Sequence, residues 1–245
     1  MKKPKLLATI FAAIFLFFSA SSYAQTYTVL IGDIPGIESL ITMTEELGKE
    51  MKVTLEIKKV PIQRMINMII ERQADFGAPM LKIKDPNAIK NLPYLYSTES
   101  IQQMCFILYT NKSKPIDIEN LKNGNSKGYK IESDISNMQM FNFKTLQSTN
   151  PAASFKKVND GLIDGYILGS EPGDSILRAS KDTMKNVKRQ LWETYDIGYV
   201  LSKTDKATAI DKLITDGLKK MRASGKLDAI MADVIKSGIY DNWQP

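Results

Sequence analysis

Met104-Cys105-Phe106-Ile107-Leu108-Tyr109-Thr110 is an apolar run of strand length, and it divides the chain. Before it, Tyr27–Ile31 alternates and ends at Gly32-Asp33, which reads as a strand and its turn. Ile37, Leu40, Ile41, Thr44 and Leu47 recur at helical spacing, with Gly48 as the expected C-cap. Val53, Leu55 and Ile57 alternate with Thr54, Glu56 and Lys58 as a second strand. Pro61 opens a helix whose apolar stripe is Ile62, Met65, Ile66, Ile69 and Ile70. Asp75–Ala78 is a short strand expected to end at Pro79. Strand–helix–strand–helix–strand with short links requires parallel pairing and an α/β lobe.

After Thr110 the pattern restarts. Gly128–Glu132 reads as a strand, and Ser133 or Asp134 caps a helix expected to run to about Leu146. Pro151–Asp160 is a helix closed by Gly161, Ile163–Leu168 a strand, and Gly169-Ser170-Glu171-Pro172 leads into a helix through Ser180. Tyr195–Ser202 is a second buried connecting strand, followed by helical stretches at about 207–223 and 227–236, separated by Gly225. Two α/β blocks therefore flank two extended segments, with the C-terminal helices returning to the first block. The expected boundaries are 25–109 with 200–245 for lobe 1, and 110–199 for lobe 2. Ligands of such folds bind at the carboxyl ends of strands, here in the cleft between lobes.

The first 24 residues stand apart. Lys2, Lys3 and Lys5 precede the nearly unbroken apolar run Leu6–Phe18, and Ser22-Tyr23-Ala24 offers a cleavage site before Gln25. This is a secretory signal pattern, too short in its apolar part to span a bilayer. No cysteine lies at the cleavage site, so no lipid anchor is expected. The segment holds three of the 33 basic residues, which leaves 30 against 27 acids and a net charge of +3 instead of +6. The remaining lysines lie among acids, so nothing supports nucleic-acid binding. The chain has no histidine and one cysteine. Histidine-based triads, His-ligated metals, zinc–thiolate cages and intrachain disulfides are thereby excluded. No cofactor and no metal are expected.

Several segments resemble the bacterial extracellular solute-binding proteins of family 3, the polar amino-acid receptors. They are Cys105–Lys112 with Ile116–Leu121, Gln73–Gly77, Asn159–Tyr166, Ile197–Lys203 and Gly225–Ile230, in the family's order. The resemblance spans Tyr27–Trp243. It implies an α/β, two-lobed type II periplasmic binding fold, each lobe a mainly parallel sheet flanked by helices, joined by two crossover strands. It also implies a periplasmic receptor that closes on a small solute and delivers it to an inner-membrane ABC permease. An unanchored exported receptor fits a Gram-negative periplasm, and a monomer is expected. The family holds its ligand carboxylate with an arginine in lobe 1. Here that stretch is Met80-Leu81-Lys82-Ile83-Lys84-Asp85-Pro86, and no arginine occurs between Arg72 and Arg178. Lysine supplies charge there without the bidentate fork.

The candidate site residues each have a plainer alternative. Asp33 follows the first strand and faces the cleft or caps the next helix. Lys82 and Lys84 flank the lobe-1 loop, where they touch solute or simply remain solvated. Tyr94 and Tyr96 share a face of an extended segment, for stacking on solute or for packing. Ser133 and Asp134 stand at an expected helix N-terminus, which favours an anion unless Asp134 itself occupies it. Ser170 and Glu171 precede another helix, and Glu171 holds an amine or satisfies the helix dipole. Cys105 is read as a buried small hydrophobe. The expected solute is amino-acid-like or amine-bearing, and no catalysis is expected. The alternatives are a sensory or accessory binding protein serving a membrane sensor, or a cyclohexadienyl-type dehydratase using Glu171 or Glu132 as general acid.

Overall fold

Alternating burial along Tyr27, Val29 and Ile31 builds the first strand of lobe 1 and points it at a helical layer. The computed structural model describes residues 25–34, 37–126, 128–180, 184–232 and 239–245. The chain runs β1 (Thr26–Gly32), α1 (Glu38–Met51), β2 (Thr54–Val60), α2 (Ile62–Ile70), β3 (Phe76–Leu81), α3 (Pro86–Lys90) and β4 (Tyr94–Asn111). It continues through α4 (Ile118–Lys122), β5 (Ile131–Asp134), a 3-10 turn (Ile135–Met140), β6 (Leu146–Ser148), α5 (Pro151–Asn159), β7 (Gly165–Gly169) and α6 (Ser170–Ala179). It ends with β8 (Val187–Ser202), α7 (Ala207–Ala223) and α8 (Lys226–Ile230). The expected signal segment lies outside the described residues.

The strands form one curled sheet in the order β2-β1-β3-β8-β4-β7-β5-β6. β1 pairs parallel with β2 and β3, and β5 pairs parallel with β6 and β7. Between these parallel blocks, β4 and β8 run antiparallel to each other. At about 3.3 Å per residue the 18 residues of β4 reach roughly 59 Å, several times the span of the shorter strands, so they serve both lobes. Each lobe buries both faces of its sheet, as parallel strands demand. In lobe 1 Ile31, Phe76, Tyr199, Leu47 and Leu218 fill one face, and Leu30, Met65, Ile69 and Val200 the other. In lobe 2 Tyr109, Phe155, Tyr166 and Leu177 fill one face, and Phe106, Leu108, Ile131, Ile167 and Trp192 the other.

Several sequence expectations need correction. The helix expected from Ser133 or Asp134 to Leu146 is absent. β5 runs through Ser133 and Asp134, a 3-10 turn follows, and β6 begins at Leu146. Phe141 and Phe143 both pack edge-on against Trp192, at 5.9 and 5.7 Å between centroids. Residues two apart in a helix point to opposite sides, so that shared target requires the chain to leave the helix. Gly48 does not end α1, which runs to Met51 and is capped by Lys52 at φ 57°. A Cβ on Gly48 would lie 2.9 Å from Leu55 Cγ, so this glycine is needed for close approach of α1 to β2. β3 passes Pro79 through a register shift between Gly77 and Met80. The crossovers begin earlier than expected, at Tyr94 and Val187, because register shifts and charged residues break their apolar pattern. Of the stretch expected to be helical at 227–236, α8 covers Lys226–Ile230, and residues 233–238 lie outside the described residues.

α7 and α8 pack on α1 in lobe 1 through Ile214, Leu218, Met221 and Leu227. The last residues do not stay with them. Tyr240 and Trp243 pack on the lobe 2 core beside Leu177 and Val187.

Candidate functional site

The β3–α3 loop, the end of α4, the residues closing the 3-10 turn and β8 meet where the crossovers pass between lobes. A cleft of about 280 Å³ opens there. Lobe 1 lines it with Ile83, Lys84, Asp85 and Ala88, from the β3–α3 loop and α3. Lobe 2 contributes Lys122, Met140, Phe141 and Asn142. Its floor is Trp192, Glu193 and Tyr195 of β8.

A bulge builds this floor. Phe106 pairs with Glu193 and Ile107 with Leu191, which leaves Trp192 as the extra residue of β8. A bulge of this kind redirects side chains that strict alternation would place on opposite faces. Trp192, Glu193 and Tyr195 thereby line one wall. Trp192 Nε1 donates to Tyr195 Oη at 3.3 Å, which ties the two rings together. Lys84 Nζ donates to Glu193 Oε1 at 2.8 Å and lies 5.6 Å from the Tyr195 ring centroid. Lys122 Nζ lies 5.9 Å from the Trp192 centroid. Asn142 Nδ2 donates to the Lys122 carbonyl at 2.7 Å and fixes the end of α4 against the 3-10 turn. Asp85 accepts from the Asn87 backbone N–H at 2.8 Å, as the N-cap of α3.

Burial pushes the Glu193 carboxyl up, but the hydrogen bonds from Lys84 and the Thr194 N–H, with the charges of Lys84 and Lys122, outweigh it and hold the group below its ordinary value. A carboxyl lowered in this way stabilises the fold fully above its unfolded value of 4.5. That contribution disappears as pH falls through the lowered native value. The Lys84–Glu193 contact should therefore survive to below pH 4.5 and break on further acidification. Small-angle scattering against pH reads this as a rise in radius of gyration, and Glu193→Gln should remove the step. A wild-type step centred above pH 4.5 would contradict the assignment.

Of the residues singled out from sequence, Lys84 lines this cleft and the others lie elsewhere. Lys82 is half-buried at the hinge. Its Nζ donates to the Ser97 carbonyl at 2.7 Å and to Ser100 Oγ at 2.9 Å. Burial holds its ammonium below the usual lysine value, against the pull of Asp196, Asp211 and Glu99. Gly198 makes room for it, since a Cβ there would lie 2.6 Å from Lys82 Cε. Lys82 thus clamps the β4 bulge. Lys82→Met leaves those acceptors without their donor and should cost about 1–3 kcal/mol in a urea melt. An unchanged midpoint would contradict the clamp.

Tyr96 Oη donates to the Leu81 carbonyl at 3.1 Å and accepts from the Ile83 N–H at 3.3 Å, so it positions the loop that carries Lys84. Tyr94 is buried, with its ring 5.6 Å from Tyr96. Both line a second pocket of about 270 Å³ on lobe 1, beside Leu95 and Asp211. Asp33 is exposed and pairs with Lys59 at 3.0 Å. Ser133 is fully buried, and its hydroxyl has no hydrogen-bond partner among the described residues. Asp134 is half-buried, and its charge helps raise the nearby Tyr166 phenol, chiefly after burial. Ser170 is buried as the first residue of α6, and Glu171 is exposed in its first turn. Cys105 is buried, with its Sγ 3.5 Å from Thr194 Oγ1. The structure brings Lys84 into the cleft and joins it to five residues that sequence reading passed over: Lys122, Phe141, Trp192, Glu193 and Tyr195. The available signal was the Trp-Glu-x-Tyr run just before the second apolar crossover.

No protein-family model matches the sequence, and neither does any curated protein. Solved structures do match. A histidine kinase sensor domain with similarity to periplasmic binding proteins aligns at TM-score 0.61 and 15% identity, over 86% of this chain and 96% of that one. The fold is that of the type II periplasmic binding proteins. A putative L-cystine ABC transporter protein from Listeria monocytogenes shares it at TM-score 0.57 and 16% identity, over 89% and 99% of the two chains. So does the ancestral amino-acid-binding protein AncCDT-1, a precursor of cyclohexadienyl dehydratase, at TM-score 0.56 and 15% identity, over 85% and 94%. A type II periplasmic binding fold places its two lobes on either side of the crossover strands. The cleft described above lies between them.

Proposed function

We propose that this protein is an exported receptor that closes its two lobes on a small polar solute and presents it to an inner-membrane ABC importer. The observation that carries this reading is the composition of the cleft. Its lining comes from lobe 1, lobe 2 and the crossover strand at once, so a bound solute would touch every part that must move on closure. The fold shared with an amino-acid-binding protein and an ABC transporter protein supports it. The amine-bearing expectation rested on Glu171 and Asp134, and neither lines the cleft; Glu193 is the acid on its floor. The test is a thermal-shift screen over amino acids, amines, organic acids and short peptides, with scattering to follow compaction. One solute that raises Tm and contracts the protein supports the reading. No response to any of them at millimolar concentration overturns it.

A second reading, delivery of the bound state to a membrane sensor, is favoured by the likeness to a histidine kinase sensor domain. Binding of the closed form to a permease or to a sensor ectodomain separates the two. Catalysis is not favoured. A general acid needs a raised pKa, whereas Glu193 is held low. Glu132 is buried away from the cleft, bonded to Lys157 and Ser154 at 2.6 Å each.

A further inference from the structure

The cleft's charges and rings narrow the solute class. Lys84 reaches in from lobe 1 and Lys122 from lobe 2, and one floor carboxylate, Glu193, lies under the influence of both. Glu193 is already engaged by Lys84 and by the Thr194 N–H at 3.0 Å. Asp85 is committed to capping α3. The other acid near Lys122 is Glu119, 3.8 Å away with a side chain 76% exposed to solvent. An ammonium carries three N–H donors; among the described residues Lys84 gives one to Glu193, and Lys122 approaches Glu119 at 3.8 Å. An anion placed in the cleft would answer both lysines and join the lobes. An ammonium guest would have to compete with Lys84 for Glu193 and sit beside two like charges, with Asp85, held at the start of α3, as the other acid on the lining.

The walls favour a flat apolar body. Trp192 and Tyr195, each 5% exposed, and the half-buried Phe141 border the cleft, and each lysine lies near one of these rings. A group bonded to a lysine is thus held beside an aromatic face. Size agrees: an apolar cavity of about 150 Å³ accepts benzene, and this cleft holds about 280 Å³. One ring with a short acidic side chain fits.

We propose that the cleft takes an aromatic carboxylate, its anionic group bridging Lys84 and Lys122 and its ring lying against Trp192 and Phe141, with no amine required. This rests on the receptor reading above. The experiment is titration calorimetry of the exported chain with phenylacetate, phenethylamine and L-phenylalanine, at two salt concentrations. Phenylacetate should bind more tightly than phenethylamine, and its affinity should fall with salt. Lys84→Met and Lys122→Met, both at solvent-accessible side chains, should each weaken it about tenfold or more. Preference for phenethylamine, or unchanged affinity in both lysine variants, overturns the proposal. If only other solutes from the wider screen bind and compact the protein, the aromatic carboxylate class is wrong and the receptor reading stands. If no solute does, both fall together.

Discussion

Replacing Arg189 by methionine is expected to destabilise the protein by about 3–5 kcal/mol, because it takes the guanidinium from the largely buried carboxylate of Asp174 and leaves it Tyr109 Oη as donor. Arg189 sits on β8 with its side chain 1% exposed. Its Nε donates to Asp174 Oδ1 at 2.7 Å, and its Nη2 donates to the other carboxylate oxygen. Nη1 donates to the carbonyls of Asp241 and Trp243. The guanidinium carbon lies 5.0 Å from the Trp243 ring and 5.4 Å from that of Tyr240. One side chain thus holds α6 of lobe 2 and the C-terminal residues together. At about 2–4 °C per kcal/mol for a chain of this size, the loss reads as roughly 6–20 °C in Tm. Burial pushes the Asp174 carboxyl above its ordinary value in spite of Arg189, so desolvation consumes much of the pair's attraction. Arg189→Met with Asp174→Leu should therefore recover most of the stability. It should not recover the C-terminal attachment, and limited proteolysis after residue 238 should become faster. A single-variant loss under about 1 kcal/mol would mean the pair is not the anchor described here.

That anchor shows why some of the molecule was legible in the sequence and some was not. β1, α1, β2 and α2 follow from alternation, helical spacing and Pro61, all local features of single segments. The return of α7 to lobe 1 followed from two blocks needing two crossings. Features created by pairing were not legible. The β8 bulge exists only relative to β4, so nothing in Leu191-Trp192-Glu193 announced which side Trp192 would face. Arg189 reads as a surface charge in Lys188-Arg189-Gln190, yet it is buried because Asp174, fifteen residues earlier, waits on α6. Lys82 was read as a solvated loop charge or a solute contact, and the space left by Gly198 turned it into a hinge clamp. The 3-10 turn replaced a helix because Phe141 and Phe143 share a target fifty residues further along the chain.

Trp192→Ala is the second change expected to have a large effect, on stability and on binding together. The ring is 5% exposed and packs edge-on against Phe141 and Phe143, while its N–H reaches Tyr195. Truncation of a buried tryptophan opens a cavity and costs about 3–5 kcal/mol. It also removes the floor of the cleft and the ring beneath Lys122. Loss of a central aromatic anchor typically weakens binding by 2 kcal/mol or more, about 30-fold. Trp192→Phe separates the two effects, since it refills much of the cavity but cannot donate to Tyr195. It should recover most of the stability, as read from urea midpoints, and only part of the affinity for whichever solute compacts the protein. If Trp192→Ala lowers stability as expected yet binds that solute as tightly as the parent, the interlobe cleft is not where the solute sits. The second pocket beside Tyr94 and Tyr96 would then be the surface to test, with Tyr96→Phe as its first variant.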